Sequence, residues 1–569
     1  MKKNLGLSFA LLCFAAAGLC ACGSDEAGSA HFTRFAYSGH DARFDRAIDP
    51  CNEYFNPILA GFNSDPSICR KDDDYFIVTS SFAFWPAIPI WHSRDLVHWQ
   101  PLGAVIDRNE NLALDEVQFN QGVYAADISY NPHNDTFYVL NTCVNGIGNF
   151  VVKSRNPFSG EWSAPIVIPE AGYGIDPSFF FDEDGRAYLL HNDEPEGGRK
   201  WSGHQALYLW EYDTERDCVV GERTMLLDGG IDYAAHPEWL EGPRLYRRDG
   251  KYVLIAAEGG TYEYHSQVAL ISDNVRGPYR PCPDNPILTQ RDLPEERADK
   301  VTCAGHADLV DTPDGRWFIL FHGCRPYEGN HYNTGREAFL LPVEWQDGFP
   351  VVLAHGEAVP TVVPMEGIAA ESDIEPQTGN FAWETDFTRP LDGRWMMIRN
   401  PRSEWLQTGR RGLVLRDEGH SIFEVANPAF VGVRQQHTDF DVETDMTFTP
   451  VAEGDFAGLA MYQNERFNLL FGKRLENGVC ELAVVRTEGG VSTVEAAVPL
   501  EGGDRNASLT LRARVKGGRC DLEAAVDGRP FVRVAEGVDM RNLSTHTARG
   551  FNGVIVGVYT GAAESAKQQ

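Results

Sequence analysis

The sequence predicts an all-β protein in which a five-bladed β-propeller is followed by a β-sandwich. Turns of the Asp-Gly type recur every 49 to 65 residues, and an aromatic-rich strand follows each one. Repetition at this period, with several strands per unit, indicates a propeller. After Gly379, short alternating runs such as FDVETDMTF and SLTLRARV indicate a sandwich. The turn residues are Asp73-Asp74, Asn134-Asp135, Asp184-Gly185, Asp249-Gly250 and Asp314-Gly315.

An ionisable residue lies eight positions before the aspartate of each turn. Equivalent positions on the first strands of the blades line one central funnel, so we expect these side chains to converge. Each acid taken alone could be an ordinary turn or strand residue, but five aligned ionisable residues predict a carboxylate-lined site. The five are Asp65, Asp127, Asp176, Glu241 and His306.

The amino terminus has the features of an export signal. Met1-Lys2-Lys3 precedes an apolar run that is too short to span a membrane stably, and the run ends in Leu19-Cys20-Ala21-Cys22. This ending resembles a bacterial lipoprotein cleavage box, which implies a signal peptide over 1–21, lipidation of Cys22 and a tether over 22–50. We expect an exported protein anchored by lipid alone, in the outer membrane of a Gram-negative bacterium and exposed at its surface; secretion after cleavage is the alternative.

Composition narrows the classes of partner. The 569 residues carry a formal net charge of −32, which argues against nucleic acid, whereas a neutral saccharide is indifferent to that charge. The 12 cysteines have no metal-binding spacing, and we expect buried free thiols in the mature chain.

Several motifs in one order resemble glycoside hydrolase family 43. They include NPILAGFNSDPSICR, GIDPSFFFDEDGRAYLLH, EGPRLY, AEGG, GHADLV and GREAFLLPVEW, and the likeness is greatest to β-xylosidases and α-L-arabinofuranosidases with a carboxy-terminal concanavalin-like sandwich. The resemblance implies an exo-acting, inverting enzyme that removes terminal β-D-xylose or α-L-arabinofuranose from hemicellulose or pectin-derived oligosaccharides. It also implies that Asp65 is the general base, Glu241 the general acid, and Asp176 a carboxylate that orients the acid and adjusts its pKa.

The chemistry of inversion independently requires such a set. One carboxylate deprotonates water and one carboxylic acid protonates the leaving oxygen, at a separation of roughly 6.5–9.5 Å that admits the water. A nearby charge of the same sign, as on Asp176, would keep Glu241 protonated near neutrality. The bond cleavage itself needs no cofactor.

Further candidates would bind the substrate. An aromatic ring suits the apolar face of a sugar, and the planar guanidinium of arginine suits its hydroxyls. The resemblance places His306 at the funnel centre near a cation or water, and we consider a hydrated calcium ion there; Asp127 would belong to that site or turn toward a rim group. The substrate-binding candidates are Phe82, Trp85, Tyr124, Asp127, His306, Arg325, Arg336 and Phe551.

These features predict a propeller over 51–359, a linker over 360–378 and a sandwich over 379–569. A carbohydrate-binding surface lipoprotein with weak catalysis is the alternative function, and the intact Asp65, Asp176 and Glu241 argue against it.

Overall fold

The computed structural model describes residues 28–172, 174–369, 373–500 and 506–564. The described chain is built almost wholly from antiparallel strands. Its helical elements are single turns, none of which is long and apolar enough to cross a membrane. They are Ala42–Phe44, Pro157–Ser159, Pro169–Ala171, Tyr233–Ala235, Arg541–Leu543 and Thr545–Ala548.

Five antiparallel sheets follow one another along the chain as the blades of a propeller, which confirms the predicted fold class. Blade 1 contains Ser67–Lys71, Asp74–Val78, Ala87–Ser93 and Gln100–Ile106. Blade 2 contains Gly122–Val123, Asp127–Asn131, Thr136–Val144, Gly148–Ser154 and Ile166–Val167. Blade 3 contains Ile175–Phe181, Ala187–Asp193, Ala206–Asp213 and Cys218–Asp228.

The last two blades have the same plan. Blade 4 contains Glu241–Arg248, Lys251–Glu258, Ser266–Ser272, Arg280–Pro281 and Leu288–Thr289. Blade 5 contains Thr302–Asp311, Trp317–Cys324, Glu337–Gln346 and Phe349–Val351. The predicted linker is not wholly irregular, because Val362–Pro364 pairs with Glu53–Phe55.

Two eight-stranded sheets form the sandwich. One contains Ser29–Gly39, Ala382–Thr385, Leu406–Gly409, Gly412–Arg416, Asp439–Phe448, Ser508–Lys516, Arg519–Val526 and Val532–Asp539. The other contains Phe84–Trp85, Met396–Ile398, Phe430–Arg434, Asp455–Asn464, Phe467–Glu476, Val479–Glu488, Val491–Pro499 and Ile555–Ala562.

The prediction that 22–50 form a tether is wrong from residue 29 onward. Ser29–Gly39 is an interior strand of the sandwich, hydrogen-bonded to Gly412–Arg416 on one side and to Asp439–Phe448 on the other. Phe32, Phe35 and Tyr37 are buried in the sandwich core. The partners of this strand are distant in sequence, so nothing close to it in the chain indicates that it belongs to the second domain.

The two domains share a hydrophobic core. Phe82 and Phe84 from the loop of blade 1 pack in one cluster with Phe430, Tyr462 and Tyr559 of the sandwich. Arg325 of blade 5 forms a buried ion pair with Asp41, which follows the amino-terminal strand. The sandwich is therefore fixed against the side of the propeller rather than joined to it by a flexible connection.

Candidate active site

The first strands of the blades end at a cavity of about 370 Å³ on the propeller axis. Its lining residues come from all five blades, at the first strands or the segments that lead into them, from the loops of blades 1, 4 and 5, and from the sandwich. They are Asp65, Phe82, Tyr124, Ala125, Ile175, Asp176, Glu238, Trp239, Glu241, Gly260, Thr261, Tyr262, His306, Arg336 and Phe551. We call Asp65, Asp176, Glu241 and His306 the funnel ring.

Unusual backbone geometry directs the funnel ring into the cavity. Asp65, Asp176 and His306 have φ values of 50°, 52° and 51°, in the left-handed region that non-glycine residues rarely occupy. Glu241 instead precedes Gly242, whose φ is 57° and whose Cβ, if present, would lie 2.9 Å from Nε2 of His306. Strain of this kind gathers at functional sites, where the surrounding structure compensates for it.

Asp65 is held as a carboxylate. The hydroxyl of Ser80 donates to its Oδ2 at 2.6 Å, and Nη1 of Arg336 lies 2.9 Å from its Oδ1. Burial alone would raise the pKa of Asp65, but the charge of Arg336 and the hydrogen bond with His322 hold it well below its usual range. The side chain is therefore an ionised proton acceptor at neutral pH.

Glu241 has the opposite character. Burial in the cavity and the negative charge of Asp176 raise the pKa of Glu241 to about 8. Oδ2 of Asp176 accepts a hydrogen bond of 3.2 Å from the amide of Gly242, the residue that follows Glu241. Asp176 therefore acts on the acid through its charge and by fixing the adjacent backbone.

The imidazole of His306 lies among the carboxylates of the cavity. Nε2 of His306 is 3.4 Å from Oδ2 of Asp176. Burial would lower the pKa of His306, but its contact with Asp176 and the charges of Asp65 and Glu241 raise it. Burial and the charge of Arg336 lower the pKa of the neighbouring His322 to about 3, so this imidazole is neutral. Its Nδ1 lies 3.1 Å from Oδ1 of Asp65.

Aromatic rings form the closed wall of the cavity. The Phe82 ring stacks on Phe551 of the sandwich at 5.6 Å and meets Tyr124 edge-on at 5.4 Å. The guanidinium of Arg336 lies 5.2 Å from the ring centre of Phe551 and donates to Thr261 at 3.0 Å. Burial, followed by the charge of Asp176, raises the pKa of Tyr124 to about 12, so its hydroxyl stays protonated and donates to the carbonyl of Asn120.

Asp127 does not line the cavity. It pairs regularly with Leu140, and its carboxylate accepts from Ser129 at 2.8 Å and from the amide of Phe179 at 3.0 Å. It belongs to a deeper layer in which every member occupies a paired strand position. We call that layer the axial ring; it consists of Ser67, Asp127, Ser178, Arg244 and Asp308.

The reason for this error is the position of the counted aspartate within its turn. Asp135 is the second residue of its turn pair and lies four residues after Asn131, the last paired residue before the turn, whereas Asp73 lies two residues after Lys71. Counting back eight residues therefore reaches the funnel ring in blade 1 and the axial ring in blade 2. Burial, followed by the charge of Asp308 acting against that of Arg244, raises the pKa of Asp127.

Two other predicted substrate contacts are also misplaced. Trp85 is buried in a two-residue strand, Phe84–Trp85, which pairs with Met396–Ile398 at the edge of a sandwich sheet. Arg325 is fully buried between Glu337 and Asp41. Both residues join the two domains, a long-range role that their own neighbours in the sequence do not indicate.

The structure adds lining residues that were not predicted. Glu238, Trp239, Thr261 and Tyr262 lie at the mouth of the cavity. A signal for the first two was present, because Pro237-Glu238-Trp239 directly precedes the strand that begins at Glu241. Thr261 and Tyr262 follow Gly259 and Gly260, the last two residues of the AEGG motif.

The donor set does not fit a protein-bound metal. The described part of the chain has no group of three or more His, Cys, Asp or Glu side chains placed to hold a metal ion. Its nine cysteines have free thiols, and seven of them are buried, as predicted. Cys22 lies outside the described residues.

Comparisons with known proteins cover both domains. Residues 54–350 match the family model for glycosyl hydrolases family 43, and residues 384–569 match that for the beta xylosidase C-terminal concanavalin A-like domain. A xylosidase/arabinosidase of Butyrivibrio fibrisolvens is 31% identical over 519 residues, which cover 89% of this chain and 95% of that protein. A non-reducing end alpha-L-arabinofuranosidase of Bacteroides ovatus is 32% identical over 520 residues, with coverage of 89% and 90%.

Solved structures agree over nearly the whole chain. A GH43_12 protein retrieved from a capybara gut metagenome superposes with a TM-score of 0.86 at 35% identity, covering 94% of this chain and 99% of that one. The GH43 BlXynB protein of Bacillus licheniformis superposes with a TM-score of 0.78 at 31% identity, covering 91% and 97%.

Proposed function

The chain belongs to glycosyl hydrolase family 43, and we propose that it is an exo-acting, inverting glycosidase that removes a terminal pentose from plant oligosaccharides. One observation carries the mechanism. Two carboxyl groups of one cavity have pKa values shifted in opposite directions, Asp65 downward and Glu241 upward. A pair of this kind supplies one base and one acid at the same pH.

The base acts on water. Asp65 accepts a proton from a water molecule as that water attacks the anomeric carbon, and Ser80 and Arg336 hold the carboxylate in one orientation. The positive charge of Arg336 keeps Asp65 ionised before the reaction. A correctly placed base of this type contributes about 10²–10⁴-fold to the rate.

The acid acts on the leaving group. Glu241 gives its proton to the glycosidic oxygen as the bond to the anomeric carbon breaks, so the leaving saccharide departs as a neutral alcohol. Asp176 keeps the proton on Glu241 until then, because its negative charge opposes a second negative charge nearby.

The shape of the cavity favours removal of a single terminal sugar. Asp65, Phe82 and Arg336 are only 4%, 1% and 6% exposed, so this end of the cavity is closed. Phe551 closes it from the sandwich side, and its backbone carbonyl accepts from Ser64 at 3.2 Å. A polysaccharide chain could not pass through this end, whereas a terminal pentose would fit against the aromatic wall.

The substrate proposal includes both β-D-xylose and α-L-arabinofuranose, since relatives named for each activity match the chain. Incubation with defined xylo- and arabino-oligosaccharides, with the released sugar identified, decides between them. Proton NMR of the first-formed sugar should show inverted anomeric configuration. A product of retained configuration would contradict the mechanism, and release of no pentose would leave the carbohydrate-binding alternative.

Localisation and a cation are separate proposals. The leader sequence supports export and lipid anchoring at Cys22, in the outer membrane and at the cell surface; loss of membrane association in Cys22→Ser would support it, and unchanged fractionation would contradict it. A calcium ion beside His306 would have to be held largely by water, because the described side chains form no ligand cluster. Activity unchanged by exhaustive EDTA treatment would remove that ion from the mechanism.

A further inference from the structure

The two ends of the cavity differ in exposure. Asp65 and Arg336 at the closed end are almost fully buried, whereas Trp239 lines the same cavity and is 40% exposed. Glu238 beside it is also exposed, and Tyr262 is half-buried. The mouth of the cavity is therefore bordered by an indole ring and a carboxylate.

This mouth lies on the side of the acid. Trp239 is separated by one residue from Glu241, which lines the cavity and is the first residue of its strand. Because the acid protonates the oxygen of the leaving group, the saccharide beyond the cleaved bond must lie next to Glu241 and extend toward the mouth. The first sugar of the leaving group would then pass Trp239.

Hydrogen bonds fix the backbone of Trp239 although its side chain is exposed. Its φ of 50° is strained for a bulky residue, and its amide donates to the carbonyl of Gly203 at 2.7 Å. The carbonyl of Glu238 accepts from the amides of Gly259 and Gly260 at 2.8 and 3.1 Å. Trp201 fastens the same segment by donating from Nε1 to the carbonyl of Pro237 at 2.8 Å.

We propose that Trp239 is the stacking platform for the first sugar of the leaving group. The indole face would pack on the apolar face of a pyranose with equatorial hydroxyls, such as xylose or glucose, and the carboxylate of Glu238 would accept from one of its hydroxyls. Fixing the backbone that carries the ring lowers the ordering cost of binding, which explains a strained and exposed tryptophan at this point. The proposal rests on the function proposed above.

A substrate with no sugar in its leaving group separates this role from catalysis. The probes are xylotriose and β-D-xylopyranosyl fluoride; if the wild-type protein releases arabinose, arabinose-substituted xylotriose and α-L-arabinofuranosyl fluoride replace them. Trp239→Ala should lower kcat/KM for the trisaccharide about tenfold, the upper range for one aromatic contact, and change that for the fluoride less than twofold. Trp239→Phe should restore most of the loss.

The matched control is Tyr264→Ala, since Tyr264 is a 73% exposed aromatic residue nearby that does not line the cavity. It should leave both substrates unaffected. An equal loss on both substrates in Trp239→Ala, or no loss on either, would overturn the platform while leaving the glycosidase intact. Wild-type protein that hydrolyses neither substrate would instead overturn the proposed function and the platform with it.

Discussion

The funnel ring and the axial ring both hold buried ionisable residues on the first strands of the blades, yet only the funnel ring lines the cavity of about 370 Å³. Three residues of the funnel ring have left-handed backbone and the fourth, Glu241, precedes a glycine; all four border the cavity. The axial-ring residues have regularly paired backbone, and one arginine faces two carboxylates: Arg244 lies 3.4 Å from Asp127 and 3.6 Å from Asp308. Burial and charge alone therefore do not identify the site, whereas the left-handed backbone of Asp65, Asp176 and His306 distinguishes the funnel ring from the axial ring.

The largest expected effect is a loss of activity on substitution in the funnel ring, and it separates the role of the base from that of the acid. Asp65→Asn should lower kcat about 10³–10⁴-fold on every substrate, because the attacking water loses its base. Glu241→Gln should lower hydrolysis of oligosaccharides by about 10²–10⁴-fold, but hydrolysis of a pentosyl fluoride much less, since fluoride leaves without a proton. Steady-state kinetics on both substrates measures this, and a loss in Glu241→Gln that is equal on oligosaccharide and fluoride would show that Glu241 is not the acid.

In the axial ring the expected effect is on stability. Arg244→Met leaves Asp127 and Asp308 buried without their cation, which should lower the free energy of unfolding by about 3–5 kcal/mol. The double variant with Asp127→Asn should be less destabilised than the sum of the single changes, because the two groups interact. Denaturant unfolding measures both. Strict additivity would mean that the two side chains are not energetically coupled.

The smallest expected effect is a shift in pH dependence. Glu241 must be protonated to act, so kcat/KM should fall as the pH rises through about 8. Asp176→Asn removes the charge that raises this pKa, and the basic limb should move to lower pH. Asp127→Asn is the matched control and should leave the limb in place, since Asp127 lies outside the cavity. A shift of similar size in both variants would mean that the axial ring acts on the acid after all.

The sequence predicted those parts of the site that depend on local repetition. Asp65 and Asp176 share the run Asp-Pro-Ser, and Glu241 precedes Gly-Pro, so their relation to the strand start is visible in the chain. Asp127 was placed wrongly because Asp135, from which it was counted, lies later in its turn than the aspartates counted in the other blades, which changes the register without changing the turn motif.

Features that depend on distant partners could not be predicted in this way. Arg325 pairs with Asp41, 284 residues away, and Trp85 joins a strand of the other domain. The rim residue Trp239 was missed because an exposed aromatic residue beside a motif has no periodic pattern. Periodicity describes contacts within a blade, whereas the domain contact and the rim arise from the assembled molecule.

The amino-terminal strand Ser29–Gly39 also determines the order in which the protein can fold. It leaves the ribosome before the propeller does, but its neighbour Asp439–Phe448 follows about 400 residues later, after a delay of about 20 to 80 seconds at ordinary rates of synthesis. During that time the whole propeller emerges, while the apolar face with Phe32, Phe35 and Tyr37 has no sheet to join. A strand made before the propeller is thus among the last to reach its native place, because its eleven residues must wait for a sheet that is made after the propeller.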